Sequence, residues 1–167
     1  MPKRRLLIVA YLFILALAFV LRFKPAYFAA QLEPTPDAVE YSLGALSLYQ
    51  HGTFAITINH VPYPPRPPFG YSLLLLPAVA IFGPLPHNAL YVSLLFSVGV
   101  VALTMLLAQR FFGSLAACVA GWVVAVGNLD ITNGKQIMTD TASAFLLLLA
   151  CYFVIRTAHR RGRDRDV

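Results

Sequence analysis

The stretch LLIVAYLFILALAFVLRF, residues 6–23, decides the fold class because its length and apolarity match the hydrocarbon core of a bilayer. Lys3, Arg4 and Arg5 precede it, and its only charged residue is Arg22, near its end. Basic residues collect on the cytoplasmic side, so the sequence predicts a first span with a cytoplasmic amino terminus. A cleaved signal peptide is the alternative interpretation, but the apolar stretch exceeds a usual signal core and no clean cleavage site follows it.

The composition extends this interpretation to the whole chain. Hydrophobic residues make up 59% of the 167 residues and charged residues 12%, which is outside the usage of soluble domains. Further apolar stretches at 88–109, 114–129 and 138–155 are predicted spans. The sequence therefore predicts a single all-α integral membrane domain with about four transmembrane helices. The positive-inside rule places Arg110 and the arginine-rich tail, 156–167, in the cytoplasm. Both ends of the chain are therefore predicted on the cytoplasmic side of the cell membrane.

Residues 69–83 form a shorter apolar stretch, which the sequence predicts as an interfacial or re-entrant helix at the outer face. It has about 15 residues and contains Pro77, whereas a spanning helix needs about 17. A span here would also put the amino terminus and the arginine tail on opposite sides, against the positive-inside rule.

The predicted outward segments are roughly 24–87 and 130–139. All acidic residues outside the tail lie in or beside them. Carboxylates next to a membrane are costly unless they are exposed to water, paired or functional, so either solvation or function explains them. These residues are Glu33, Asp37, Glu40, Asp130 and Asp140.

Residues 37–51 of the outer loop predict a short amphipathic helix on the membrane surface. Val39, Leu43 and Leu46 recur at helical spacing, and Gly52 follows at the position of a carboxyl cap.

The sequence PYPPRPP, residues 62–68, comes next and predicts a stiff extended strap. It cannot be helical because proline removes backbone donors and restricts the preceding residue. The strap would hold Arg66 near the membrane interface.

Four motifs together carry a resemblance that covers nearly the whole chain. Asp37 opens a helix that ends in His51-Gly52, and the later motifs are Tyr63-x-x-Arg66-Pro67-Pro68-x-Gly70-Tyr71, Arg110-Phe-Phe-Gly113 and Met138-Thr139-Asp140-Thr141-Ala142. This order resembles the GT-C superfamily of membrane glycosyltransferases. The most similar patterns are those of the bacterial lipid A aminoarabinose transferases and the dolichyl-phosphate-mannose protein mannosyltransferases.

The resemblance implies transfer of a sugar from a polyprenyl-phosphate donor to a lipid or protein acceptor at the outer face. Asp37 matches the general base that takes the proton of the acceptor hydroxyl. Arg66 stands where the family often has a lysine, and would bind the leaving lipid phosphate. Asp140 would face Asp37 and help to bind the acceptor or a divalent metal ion. Further candidates for substrate binding are Glu40, Tyr63 and Lys135.

Each of these roles has a structural alternative. Asp37 and Glu40 have the spacing of a helix capping box, and Arg66 is also what an anchor to anionic lipid headgroups looks like. A divalent ion is the only cofactor that the resemblance suggests. The basic residues flank predicted spans, so no nucleic-acid partner is expected.

Enzymes of this family are several times longer, so the resemblance implies the amino-terminal part of a larger enzyme that needs its carboxy-terminal half. A small non-catalytic membrane protein that binds a lipid-linked sugar or a partner subunit is the main alternative. A channel or transporter element lined by Asp130, Lys135 and Asp140 is less favoured, because these residues cluster at one membrane face.

Overall fold

A computed structural model describes residues 2–23, 35–59, 61–83 and 86–163, and the chain is mostly helical over these ranges. The elements in chain order are α1 (Pro2–Arg22), α2 (Pro36–His51), β1 (Ile56–Ile58), β2 (Val61–Tyr63), α3 (Phe69–Phe82), a 3-10 turn (Pro86–Ala89), α4 (Leu90–Phe112), α5 (Ser114–Val126), α6 (Asn128–Asn133) and α7 (Thr139–Arg163). The helical content agrees with the predicted all-α class, apart from one small hairpin. Part of the predicted tail, 156–163, continues α7 as helix.

Three helices in the described ranges are long and apolar enough to cross a membrane, namely Arg4–Arg22, Leu90–Phe112 and Thr139–Ala158. This finding is consistent with the predicted membrane protein. The predicted count of about four spans is not confirmed, because α5 has only 13 residues within the predicted span 114–129. At 1.5 Å per residue, α5 is about 20 Å long, against about 30 Å of hydrocarbon.

Helices α1, α4 and α5 pack together around small residues. Gly113 alone joins α4 to α5, and its φ of 86° allows the chain to fold straight back. A Cβ atom at Gly121 would lie 2.4 Å from Met105 Cγ and 3.4 Å from Ile14, so the three backbones approach closely there. Arg22, at the end of α1, bonds to Ser97 near the start of α4 and to Ala125 at the end of α5, so α1 runs parallel to α5 and antiparallel to α4. The core of this group is Ile14, Ala18, Val101, Met105 and Ala125.

Helix α7 packs against α4 and runs in the same direction. The Phe145 ring lies 5.1 Å from the Phe96 ring, centroid to centroid, and covers the backbone of Gly99. Ala142, in the first turn of α7, shares a buried cluster with Leu90 at the start of α4. Both helices therefore begin at the same end of the bundle.

Helices α2 and α3 form a cap over this end, and α3 is the apolar segment predicted at 69–83. The Tyr41 and Tyr71 rings meet edge to face at 4.9 Å, and Ser72 Oγ donates a hydrogen bond to Tyr41 O at 3.0 Å. Tyr71 also shares a hydrogen bond of 2.9 Å with Ser93 of α4, which ties the cap to the bundle. The cluster that joins the cap to α4 and α7 contains Ala38, Tyr41, Ala45, Tyr71, Leu75, Val79, Ala89, Leu90, Ile137 and Ala142.

Charge is divided between the two ends of the bundle. The helix directions place Arg4, Arg5, Arg110 and Arg156 at the end away from the cap. The acidic residues of the described ranges lie at the capped end, and they are Asp37, Glu40, Asp130 and Asp140. Under the positive-inside rule, the basic end is expected to face the cytoplasm and the cap to face outward.

Replacing Gly99 by valine is expected to destabilise the bundle, because the new Cβ would lie 2.5 Å from the Phe145 ring. Overpacking of this kind costs about 1–3 kcal/mol, which SDS-induced unfolding in detergent micelles would measure. In a protein that also carries Phe145→Ala, the Gly99→Val change should cost less, because the ring that the new side chain would meet is gone. Gly70→Ala is the matched control, because a Cβ at that position would have no neighbour within 4 Å; an equal loss there would contradict the packing argument.

Candidate functional site

A groove of about 550 Å³ opens at the capped end between α2 and the β hairpin. We call it the α2 groove. Its lining residues are Pro36, Val39, Glu40, Leu43, Ile56, Thr57, Tyr63, Pro64 and Arg66. Most of its lining residues are apolar, and its charged residues are Glu40 and Arg66.

Helix α2 uses two different faces, one for packing and one for the groove. Helix α2 packs on its neighbours through a face of mostly small residues, which are Ala38, Tyr41, Ser42, Gly44 and Ala45. The predicted apolar stripe is a different face, and its residues Val39 and Leu43 line the groove. Gly44 explains the choice, because a Cβ there would lie 2.5 Å from the Phe54 ring and 3.2 Å from Ser72 Oγ. Close packing on that face leaves the larger apolar side chains free for the groove.

The opposite wall is an antiparallel hairpin that the sequence pattern did not predict. β1 and β2 pair Ile56 with Tyr63 and Ile58 with Val61. Asn59, between the strands, has a φ of 51°, a conformation that asparagine tolerates in hairpin turns. The β-branched run Ile-Thr-Ile followed by asparagine favours a strand and a turn. The prolines that follow disfavour a second strand, which is why the pattern does not predict the hairpin.

Arg66 is held by Glu40 through both its backbone and its side chain. The Arg66 backbone N–H donates to Glu40 Oε2 at 2.9 Å, and its Nε donates to Oε1 at 2.6 Å. Arg66 Nη2 also donates to Oε1. The Glu40 side chain is only 16% exposed, whereas the Arg66 side chain is 76% exposed. Glu40 therefore fixes the direction of a guanidinium that stays accessible.

Electrostatics join Asp37 to this pair. The hydrogen bonds from Arg66 lower the pKa of Glu40 below its ordinary value of 4.5. The hydrogen bond and charge of Glu40 raise the pKa of Arg66, and the charge of Asp37 adds a smaller upward effect. Glu40 and Arg66 thus form an ion pair in the wall of the α2 groove, and Asp37 lies within electrostatic range of Arg66 without lining the groove.

The capping-box interpretation of Asp37 and Glu40 is wrong. Thr35 caps α2 instead, with its side chain accepting a hydrogen bond from the Ala38 N–H at 3.3 Å. Asp37 is the second helical residue and is exposed, and Glu40 points to Arg66. The predicted carboxyl cap at Gly52 is confirmed, with a φ of 67° and its N–H bonded to Leu48 O. Neither carboxylate is therefore needed to cap the helix.

The other predicted site residues lie elsewhere. Asp140 is exposed in the first turn of α7, and Lys135 is half-buried between α6 and α7 with its N–H bonded to Thr132 O at 3.1 Å. Neither residue lines the α2 groove, and neither does Asp37; of the predicted site residues, the structure groups Glu40, Tyr63 and Arg66 there. Glu33, one of the predicted outer carboxylates, lies outside the described residues.

A metal centre at Asp140 has no support from the donor set. Among the described residues, no group of three or more histidine, cysteine, aspartate or glutamate side chains could hold an ion. Hard cations need several oxygen ligands, and Asp140 alone does not supply them.

Comparisons with known proteins do not assign the chain to a family. No protein-family model, no curated protein and no solved structure matched it. Its function is therefore inferred from the residues of the α2 groove.

The docking of Arg66 on Glu40 is expected to depend on pH. Because the pKa of Glu40 is lowered in the folded protein, the stabilisation is present above its ordinary pKa of 4.5 and is lost as pH falls through the lowered value. The NMR signal of Arg66 Nε–Hε, which donates to Glu40 Oε1, would report this change. Glu40→Gln should abolish the transition, and an unchanged titration in that variant would assign it to another group.

Proposed function

We propose that this chain carries the donor-binding and catalytic residues of a membrane glycosyltransferase of the GT-C type. The enzyme would transfer a sugar from a polyprenyl-phosphate donor to an acceptor hydroxyl at the outer membrane face. The observation that carries the proposal is Arg66, held by Glu40 at the edge of an apolar groove within electrostatic reach of Asp37.

Arg66 supplies the cation that a phosphate leaving group requires. When the bond between the anomeric carbon and the phosphate oxygen breaks, negative charge develops on the lipid phosphate. A guanidinium offers several donors in a fixed fork, and Glu40 holds this one in place before the donor arrives. Because the Arg66 side chain is 76% exposed, it can contact a phosphate without first leaving a buried site.

Asp37 supplies the base. The acceptor oxygen attacks the anomeric carbon, and its proton passes to the Asp37 carboxylate as the new glycosidic bond forms. Asp37 is exposed and has no capping duty at the start of α2. Its position in the first turn places it on the same side of the helix as Glu40, three residues later.

The walls of the groove suit an amphiphilic donor. Val39, Leu43 and Ile56 give an apolar surface beside the ion pair, as a lipid with a phosphate headgroup requires. Tyr63 adds an aromatic ring, half exposed, on the hairpin side. The apolar wall would take the hydrocarbon next to the phosphate, and the open side would leave room for the sugar.

Binding of a lipid-linked sugar without catalysis is the second candidate function. It is favoured because neither Asp37 nor Asp140 lines the groove, although the resemblance assigns both carboxylates to the active site. Donor binding is common to both candidates, and only sugar transfer distinguishes them.

Arg66→Gln is expected to weaken binding of polyprenyl phosphate to the chain in lipid nanodiscs. Loss of a charge-assisted hydrogen bond costs about 1.5–3 kcal/mol, or roughly ten- to a hundredfold in Kd. Arg66→Lys should keep part of the affinity because it keeps the charge. The neutral polyprenol is the matched ligand control; equal binding of both lipids, or no effect of Arg66→Gln, would contradict the role in phosphate binding.

Asp37→Asn is expected to reduce sugar transfer by about 10²–10⁴-fold while donor binding is retained, because only the proton acceptor is lost. Transfer of radiolabelled sugar from the lipid donor to an acceptor would be measured in membranes that contain the protein. Tyr49→Phe, on the exposed side of α2, is the control for expression and insertion. Donor binding without transfer in the parent protein would favour the non-catalytic candidate.

A further inference from the structure

Arg22, at the end of α1, is completely buried and bonded to two other helices. Its Nε donates to Ser97 Oγ of α4 at 2.5 Å. Nη1 donates to Ala125 O at 2.8 Å, and Nη2 donates to Val124 O at 2.9 Å. A further bond from Nη1 reaches Ala18 O, in its own helix, at 3.2 Å. The exposed fraction of Arg22 is 0%, although its predicted position was the edge of a span.

The acceptors explain why an arginine is needed at this place. Val124 and Ala125 belong to the last turn of α5, whose carbonyls lack the partners that a continuing helix would supply. Val124 O also accepts a hydrogen bond of 3.3 Å from the Gly127 N–H. That end also carries the negative pole of the helix dipole, which favours a cation. Asp130, in α6, adds a favourable electrostatic interaction with Arg22. One guanidinium thus donates hydrogen bonds to two carbonyls at the end of α5 and balances the negative charge there.

The hydrogen bonds of Arg22 lie at a depth along α4 that is inside the predicted membrane region. Ser97 is the eighth residue of α4, so it lies about 10 Å from the amino end of a helix long enough to span the bilayer. Helix α5 starts at the other end of α4 and stops at about the level of Ser97, where Gly127 interrupts it. An unsatisfied helix end at that depth would be costly, because hydrocarbon offers no hydrogen bonds.

The directions of α4 and α7 require the chain to return across the bundle between them. Both helices begin at the capped end, so residues 113–139 must travel from the basic end back to the cap. Helix α5 covers about 20 Å of this distance. The rest is covered by α6 and residues 134–138, where Gly134 packs on Ser97 and Ile137 enters the cluster below α2 and α3.

We propose that this return is a broken membrane crossing, α5 followed by α6, and that Arg22 is the internal cap that holds the break inside the membrane. Residues 127–138 then lie within the outer leaflet and not in the outer water. They support the α2–α3 cap from below through Ile137. This inference concerns the architecture and does not rest on the proposed glycosyltransferase activity.

Cysteine labelling in proteoliposomes tests the depth of the break. Asn128→Cys, Thr132→Cys and the hairpin reference Val61→Cys would each be made in a chain whose Cys118 and Cys151 are replaced by alanine. All three positions are exposed in the isolated chain, so only the membrane distinguishes them. The proposal expects an outside, impermeant maleimide to label residues 128 and 132 about tenfold or more slowly than residue 61, because they lie in the lipid. Equal rates, or labelling from the cytoplasmic side, would overturn it.

The role of Arg22 is tested in the same assay. Arg22→Gln is expected to raise the labelling rates at residues 128 and 132 by about tenfold, because loss of charge-assisted hydrogen bonds frees the end of α5. Arg22→Lys, which keeps the charge but not the fork of donors, should fall between Gln and the parent. Arg110→Gln, in the exposed last turn of α4, is the matched control and should change nothing.

Milder variants keep the test decisive if Arg22→Gln fails to insert. Ser97→Ala removes the acceptor of Nε, and Asp130→Asn removes the nearby charge, while Arg22 itself stays in place. Ser97→Ala should raise the labelling rate at residue 132, and Asp130→Asn should raise it at residue 128. Both increases should be smaller than the increase caused by Arg22→Gln. Unchanged rates in both variants would show that the break is held by packing alone, and the proposed cap would be wrong.

Discussion

The hydrogen bonds of the buried Arg22 side chain join the end of α1, the third turn of α4 and the end of α5, and the arrangement of the bundle depends on them. The carbonyls at the end of a helix inside a membrane need donors, and water is not available to supply them. Arg22 supplies such donors at the negative pole of α5, and this pole together with Asp130 balances its charge. Without such a group, α5 would have to be longer or the chain would have to return elsewhere.

Arg22 and Arg66 show how the environment of an arginine separates a structural use of its side chain from a chemical one. Arg22 is buried and its acceptors are mostly backbone carbonyls, so its donors are committed to holding helices together. Arg66 is largely exposed and held by a single carboxylate, Glu40, which orients the guanidinium and leaves it accessible. The proposed phosphate contact relies on this difference, because a ligand can approach Arg66 without breaking the fold.

Small residues decide which faces of the helices remain for a ligand. Gly99 and Gly121 let Phe145 and Met105 pack against neighbouring backbones, which brings α4 close to α7 and α5. Gly44 does the same for α2 against Phe54, and this turns Val39 and Leu43 towards the groove. The apolar groove is thus a consequence of tight packing on the opposite face of α2, since large side chains excluded from one contact are exposed at another.

The sequence by itself determined the apolar helices, the division of charge between their ends and the glycine that ends α2, because these follow from local composition and periodicity. It also brought Asp37, Glu40, Tyr63 and Arg66 forward as candidates, though not their contacts. Only the tertiary structure decided that Glu40 binds Arg66, that Thr35 replaces Asp37 as the cap, and that Arg22 is buried. The Glu40–Arg66 pair and the burial of Arg22 involve contacts between residues that are distant in sequence. The cap of α2 depends on which of two neighbouring residues, Thr35 or Asp37, takes the same role. Such choices depend on how the helices pack, which no single stretch of sequence specifies.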